Sequence, residues 1–142
     1  MARYEFTYPS VLESEGKMLN DLVAILGKHR MTGLAKQSVL VVMCEAFNNA
    51  LLHGNKLNPK KKIKIMVTIN KKEVTADIID EGRGGLEKVR KRRPSRKWAE
   101  SGRGIGIIGH YASSVNFRET EKGGLKVSIT FEPDDKKILS KC

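Results

Sequence analysis

Cysteine, proline and aromatic residues are scarce in this chain, and long apolar runs are missing altogether. Of 142 residues only two are cysteine, Cys44 and Cys142. Neither has a cysteine neighbour at zinc-ligand spacing, so neither a disulfide framework nor a cysteine metal site is expected. Cys44 lies in an apolar run and reads as a small core residue. Aromatics make up 6% of the chain. They do not interleave with the basic clusters, which leaves no stacking ladder for single-stranded nucleic acid. No apolar stretch approaches the ~18–20 residues of a membrane span. The opening MARYEFTYPS lacks the basic flank and apolar core of a signal peptide. The expectation is a protein of the cytoplasm with no membrane partner.

What is present is charge, mostly of one sign. Lys and Arg number 27 against 16 Asp and Glu, a formal net charge of +11. Such a balance points to an acidic partner, a nucleic acid or a nucleotide, or else to a well-solvated surface. Two basic clusters stand out, Lys56 to Lys64 and Lys88 to Lys97. No recognition helix with finger or basic-zipper chemistry accompanies them, which argues against a nucleic-acid partner.

Periodicity gives the layout. Residues 3–9 alternate as a strand. Ser10 and Glu13 form a capping-box signature for a helix over Val11 to Lys28, with Leu12, Leu19, Leu22, Val23, Ile25 and Leu26 roughly on one stripe. A second helix is predicted over Ala35 to His53, stopped by Gly54 and Asn55. Residues 63–69 and 73–80 read as a hairpin turning at 70–72. A short helix is expected over Leu86 to Arg92 and another over 107–112. Strands over 114–119 and 125–132 close the chain. Helices on one face of a mixed, mostly antiparallel sheet give an α+β two-layer sandwich. One domain over 1–142 is expected, with a lid at about 85–101 and a loose tail at about 133–142.

Three motifs carry chemistry. Glu45, Asn49 and His53 recur every fourth residue and fall along one polar helix face. A carboxylate one turn from a carboxamide suits Mg²⁺ and its waters, although a solvated face has the same pattern. Asp80-Glu81-Gly82-Arg83-Gly84 follows a strand. Its glycines allow close approach to a ligand, and a fixed Asp80 carboxylate can accept from an exocyclic amine. A tight solvent-facing turn is the plain alternative. Gly102-Arg103-Gly104-Ile105-Gly106 precedes a predicted helix, an arrangement that cradles phosphate. It is not a Walker A loop, because no Lys-Ser/Thr follows.

In this order the three motifs resemble the Bergerat-fold, histidine-kinase-like ATPases, over about residues 4–132. Glu45-Ala46, Asn49-Ala50 and His53-Gly54 look most like the bacterial anti-sigma-factor serine kinases. The resemblance implies ATP and Mg²⁺ as ligands. It makes Glu45 the general base and Asn49 the Mg²⁺ ligand bridging the phosphates. Asp80 would read the adenine amine, with Gly82 and Gly84 shaping the loop beside it. Gly102, Arg103, Gly104, Ile105 and Gly106 would hold the phosphates, and Thr130 would support the adenine end. His53 matches the pattern and is expected to pack or hydrogen-bond at the helix end. The implied partners are an anti-sigma-factor antagonist, phosphorylated on serine or threonine, and a sigma factor, with the kinase itself a homodimer. Glu100-Ser101 departs from relatives that carry an Arg before the second glycine motif. The alternative within this fold is a nucleotide-binding interaction module that transfers no phosphate.

Overall fold

The computed structural model describes residues 1–92 and 112–132. Among the described residues five strands and three α-helices follow in the order β1 Ala2–Pro9, α1 Ser14–Lys28, α2 Gly33–Asn48, β2 Lys62–Ile69, β3 Val74–Ile79, α3 Gly85–Arg92, β4 Ser114–Glu119 and β5 Leu125–Phe131. A π-helical turn, Asn49–Gly54, extends α2. The strands form one sheet in the order β1-β2-β3-β5-β4. All four pairings among the described strands are antiparallel.

Register explains the core. Ile65 pairs with Ile78 and Val67 with Ala76; Ile78 pairs with Val127 and Ala76 with Ile129. Alternation along each strand then places Ile63, Ile65, Val67, Val74, Ala76, Ile78, Val127 and Ile129 on one buried face. Met18, Leu22, Ile25 and Leu26 of α1, and Val42, Met43, Ala46 and Phe47 of α2, cover that face. Full burial of a Leu, Ile or Phe side chain contributes roughly 1.5–3 kcal/mol, so this single layer of contacts dominates the fold. The opposite face carries polar residues such as Glu5, Lys64, Asp77 and Lys126. Ion pairs Lys64–Glu5 at 3.9 Å and Lys126–Asp77 at 3.8 Å cross it.

The first helix departs from its predicted start. It begins at Ser14, not Val11, and no side chain caps it. Ser10 is fully buried and its Oγ donates to the Lys61 carbonyl at 2.7 Å. The entry to β2 therefore claims the hydroxyl that a capping box would use. At the other end of α1, Arg30 takes the left-handed position at φ 58 and the Met31 amide closes back on the Leu26 carbonyl. The predicted hairpin turn at 70–72 forms, with Asn70 Oδ1 accepting from the amides of Lys72 and Glu73. The predicted helix 107–112 lies outside the described residues except for Ala112, which is buried and non-helical.

Candidate functional site

α2 is apolar on the side that meets the sheet and does not end as an α-helix. The Asn55 amide bonds to the Ala50 carbonyl five residues back, at 2.8 Å, and the Leu57 amide to Leu51 at 2.9 Å. Wider π-type turns of this kind are frequent at functional sites. Here the turn lays Asn49, Ala50, His53 and Gly54 along one wall of a cleft. Ala46 of α2, Ile78 of β3 and Asp80 just after that strand, Gly85, Lys88 and Val89 of α3, and Phe117, Leu125 and Val127 of the β4–β5 hairpin form the rest of the lining. The cavity measures about 200 Å³. That is below the ~300–1,000 Å³ of pockets for whole drug-sized ligands, and suits one flat heterocycle.

Asp80 is the acidic group of this mainly apolar cleft and is only 6% exposed. Its Oδ1 accepts from the Gly82 amide at 2.9 Å and the Leu125 amide at 3.0 Å. Its own amide donates to the Leu125 carbonyl at 3.1 Å. No donor reaches Oδ2 among the described residues, so one buried acceptor is left for a ligand. Burial pushes the Asp80 pKa above the ordinary carboxylate value, against the two amide bonds and the charge of Lys61, which pull it down. Oδ2 lies against Gly54, so close that a Cβ there would overlap it. Gly82 in turn approaches the Gly54 carbonyl so closely that a Cβ would overlap it. The two glycines let the end of α2 and the end of β3 touch.

Asn55, 1% exposed, ties four segments together. Its Nδ2 donates to Ser10 Oγ at 2.8 Å and to the Lys62 carbonyl at 3.0 Å. Its Oδ1 accepts from the Glu81 amide at 2.7 Å. Every hydrogen-bonding group of this buried amide is thereby satisfied.

The cleft brings together Asn49, His53 and Asp80 from the predicted set, with Gly82 beside it through its bond to Asp80. Gly84 follows in that loop, at φ 71. Glu45 sits half-buried one turn before Asn49 on α2 and is not part of the cleft lining. The structure does not bring Thr130 to this group. It pairs with Thr75 and Ser114, between Ile129 and Phe131, which point into the core. Alternation therefore turns Thr130 to the open face of the sheet. The amide that meets the Asp80 carboxylate from this strand is that of Leu125. Gly102, Arg103, Gly104, Ile105 and Gly106 lie outside the described residues. So does the predicted lid beyond Arg92, while its first part is helix α3.

The sequence marks Asn55 only as a helix stop and Lys88 only as the start of a basic cluster, and gives no role to Phe117 or Leu125. For Asn55 the available signal was an amide directly after His53-Gly54. The walls supplied by β4 and β5 depend on strand order, which periodicity does not encode. Among the described residues no group of three or more His, Cys, Asp or Glu side chains could hold a metal ion. Mg²⁺ does not need one, because it is commonly bound through one or two side chains together with substrate phosphates.

Comparison with known proteins agrees with this arrangement. The family model described as histidine kinase-like ATPase domain matches residues 8–131. A crystal structure of the RsbU and RsbW domains of Rv1364c from Mycobacterium tuberculosis is similar at a TM-score of 0.69 and 16% identity. The similarity covers 93% of this chain and 32% of that one. The chain thus spans about a third of that structure, and at this identity the likeness concerns the fold. A search of curated proteins gave no match.

Proposed function

Since the chain belongs to the histidine kinase-like ATPase domain family, we propose that it is an ATP-dependent serine/threonine protein kinase. In this reading it phosphorylates an antagonist protein and sequesters a sigma factor that the antagonist would release. The observation that carries the nucleotide part is Asp80, a buried carboxylate with one bonded and one open oxygen in an apolar cleft. An adenine amine supplies the donor that Oδ2 lacks, while Ile78, Val89, Phe117 and Val127 take the faces of the base. Likeness in fold to a structure that contains an RsbW domain is compatible with the kinase reading.

Each residue then has a stated task. Asp80 accepts from the amine and rejects a base that offers a carbonyl there. Asn49, on the opposite wall, offers its carboxamide oxygen to Mg²⁺. The metal ion, when bound, neutralises phosphate charge during transfer. Glu45, one turn earlier, accepts the proton of the attacking hydroxyl. Gly102 to Gly106 hold the phosphates through backbone N–H groups. Phosphoryl transfer depends mainly on positioning and charge neutralisation, which this division of labour provides.

The test is transfer of labelled γ-phosphate to a serine-bearing antagonist protein. The kinase reading expects transfer by the wild type and a loss of at least about a hundredfold in Glu45→Ala, with ATP affinity retained. Full transfer by Glu45→Ala removes the assigned base. ATP binding without transfer by the wild type supports the interaction-module reading instead.

A further inference from the structure

Asp80 has a peptide unit on each side. The one before it is held by β5, through the bond from the Asp80 amide to the Leu125 carbonyl. The one after it is held by Asn55, whose Oδ1 receives the Glu81 amide at 2.7 Å. The next amide, that of Gly82, is one of the two that aim the carboxylate. We infer that Asn55 is a positioning residue for base recognition, fixing the turn after β3 so that Asp80 presents its open oxygen to the exocyclic amine of the nucleotide.

This inference rests on the nucleotide reading above and adds a residue to it. Three features make Asn55 more than a helix stop. It is buried, so water does not compete for its bonds. Its partners come from the end of β1, the entry of β2 and the turn after β3, so it sets their relative positions. It also follows directly on Gly54, whose missing side chain makes room for Asp80 Oδ2. The second tie on this turn runs from the Lys62 amide to the exposed Glu81 carboxylate. Solvent competes there, so it is the weaker hold. Without Asn55 only this weaker tie holds the peptide after Asp80, so the Gly82 amide is less firmly kept on Oδ1 and the carboxylate loses its aim.

The experiment compares affinity for ATP with affinity for purine riboside triphosphate, which lacks only the exocyclic amine. Both are measured by calorimetry on the same preparation, so any loss of folded protein cancels in their ratio. The wild type should prefer ATP by about ten- to a hundredfold, as expected for one hydrogen bond to a charged acceptor. Asn55→Ala should lower that preference to about threefold or less, and Asn55→Ser serves the same purpose if the alanine variant does not fold. Ser10→Ala is the control. It removes one partner of Nδ2, leaves the bond from Asn55 Oδ1 to the Glu81 amide, and should lose thermal stability while keeping the preference. An Asn55 variant with the wild-type preference overturns the inference and leaves the nucleotide reading intact. Equal loss in Ser10→Ala also overturns it, because the network would then act only by holding the fold. A wild type that binds neither nucleotide sinks the nucleotide reading, and this inference with it.

Discussion

Asp80 and Gly54 are in close contact: the Oδ2 of Asp80 lies so near Gly54 that a Cβ on residue 54 would overlap it. Oδ1 is pinned by the amides of Gly82 and Leu125, so the carboxylate cannot swing away freely. Gly54→Ala should therefore destabilise the fold by about 1–3 kcal/mol, the usual cost of overpacking, and should weaken ATP binding as well. Gly16→Ala is the contrast. Gly16 lies in α1 with nothing within 4 Å of an added Cβ, and that change should stabilise by up to about 1 kcal/mol. Chemical denaturation of both variants checks the pair.

Stability and recognition should part at Asp80. Burial raises its pKa in the folded state above the ordinary value of 3.8. A raised pKa means that the folded state binds the proton more tightly than the unfolded chain does. The stability linked to that proton is complete below about pH 3.8 and is lost as pH rises through the folded-state pKa. Asp80→Asn carries no charge to desolvate and can keep the two bonds at Oδ1. It should melt at a higher temperature than wild type at pH 7, and the gap should shrink as pH falls toward 3.8. Thermal melts across this range check it. A variant less stable than wild type at every pH contradicts the assigned cause.

Phe47 is fully buried and meets the Tyr8 ring edge-on at a centroid distance of 5.7 Å. It is the largest side chain joining α2 to the sheet. Phe47→Ala should cost about 3–5 kcal/mol, read from denaturant unfolding. A cost below about 1 kcal/mol would mean that α2 is not seated on the sheet as described.

Cys44 should be a slow thiol. Burial first, and then its hydrogen bond to Glu15 Oε1 at 3.2 Å, push its pKa up to about 11. The thiolate is the reactive form, so iodoacetamide at pH 8 should label Cys44 in a Cys142→Ser background far more slowly than a free thiol. Unfolding should restore ordinary reactivity.

Much of this molecule is legible in the sequence, for reasons tied to period. Burial alternates along residues 63–69 and 74–79, and the apolar pattern follows it except at Met66 and Ile79, so both strands are readable. Asp80 stands out through its place at a strand end before Gly82. Ser10 misleads because a hydroxyl before an apolar stripe looks like a cap, whereas its partner, the Lys61 carbonyl, is distant in sequence. Thr130 misleads in another way. Its face is set by the register of β5 between β3 and β4, and a shift by one residue would have turned it inward. The β4–β5 walls are hidden for the same reason, and Asn55 shows in sequence only as an amide after His53-Gly54, because its partners Ser10 and Glu81 are distant along the chain.

The most direct test is calorimetric titration of ATP, with and without Mg²⁺, into wild type and Asp80→Asn. The account predicts binding by wild type that Mg²⁺ strengthens, and a loss of at least about tenfold in Asp80→Asn. Equal affinity in the two proteins would contradict the adenine-reading carboxylate at the centre of the account.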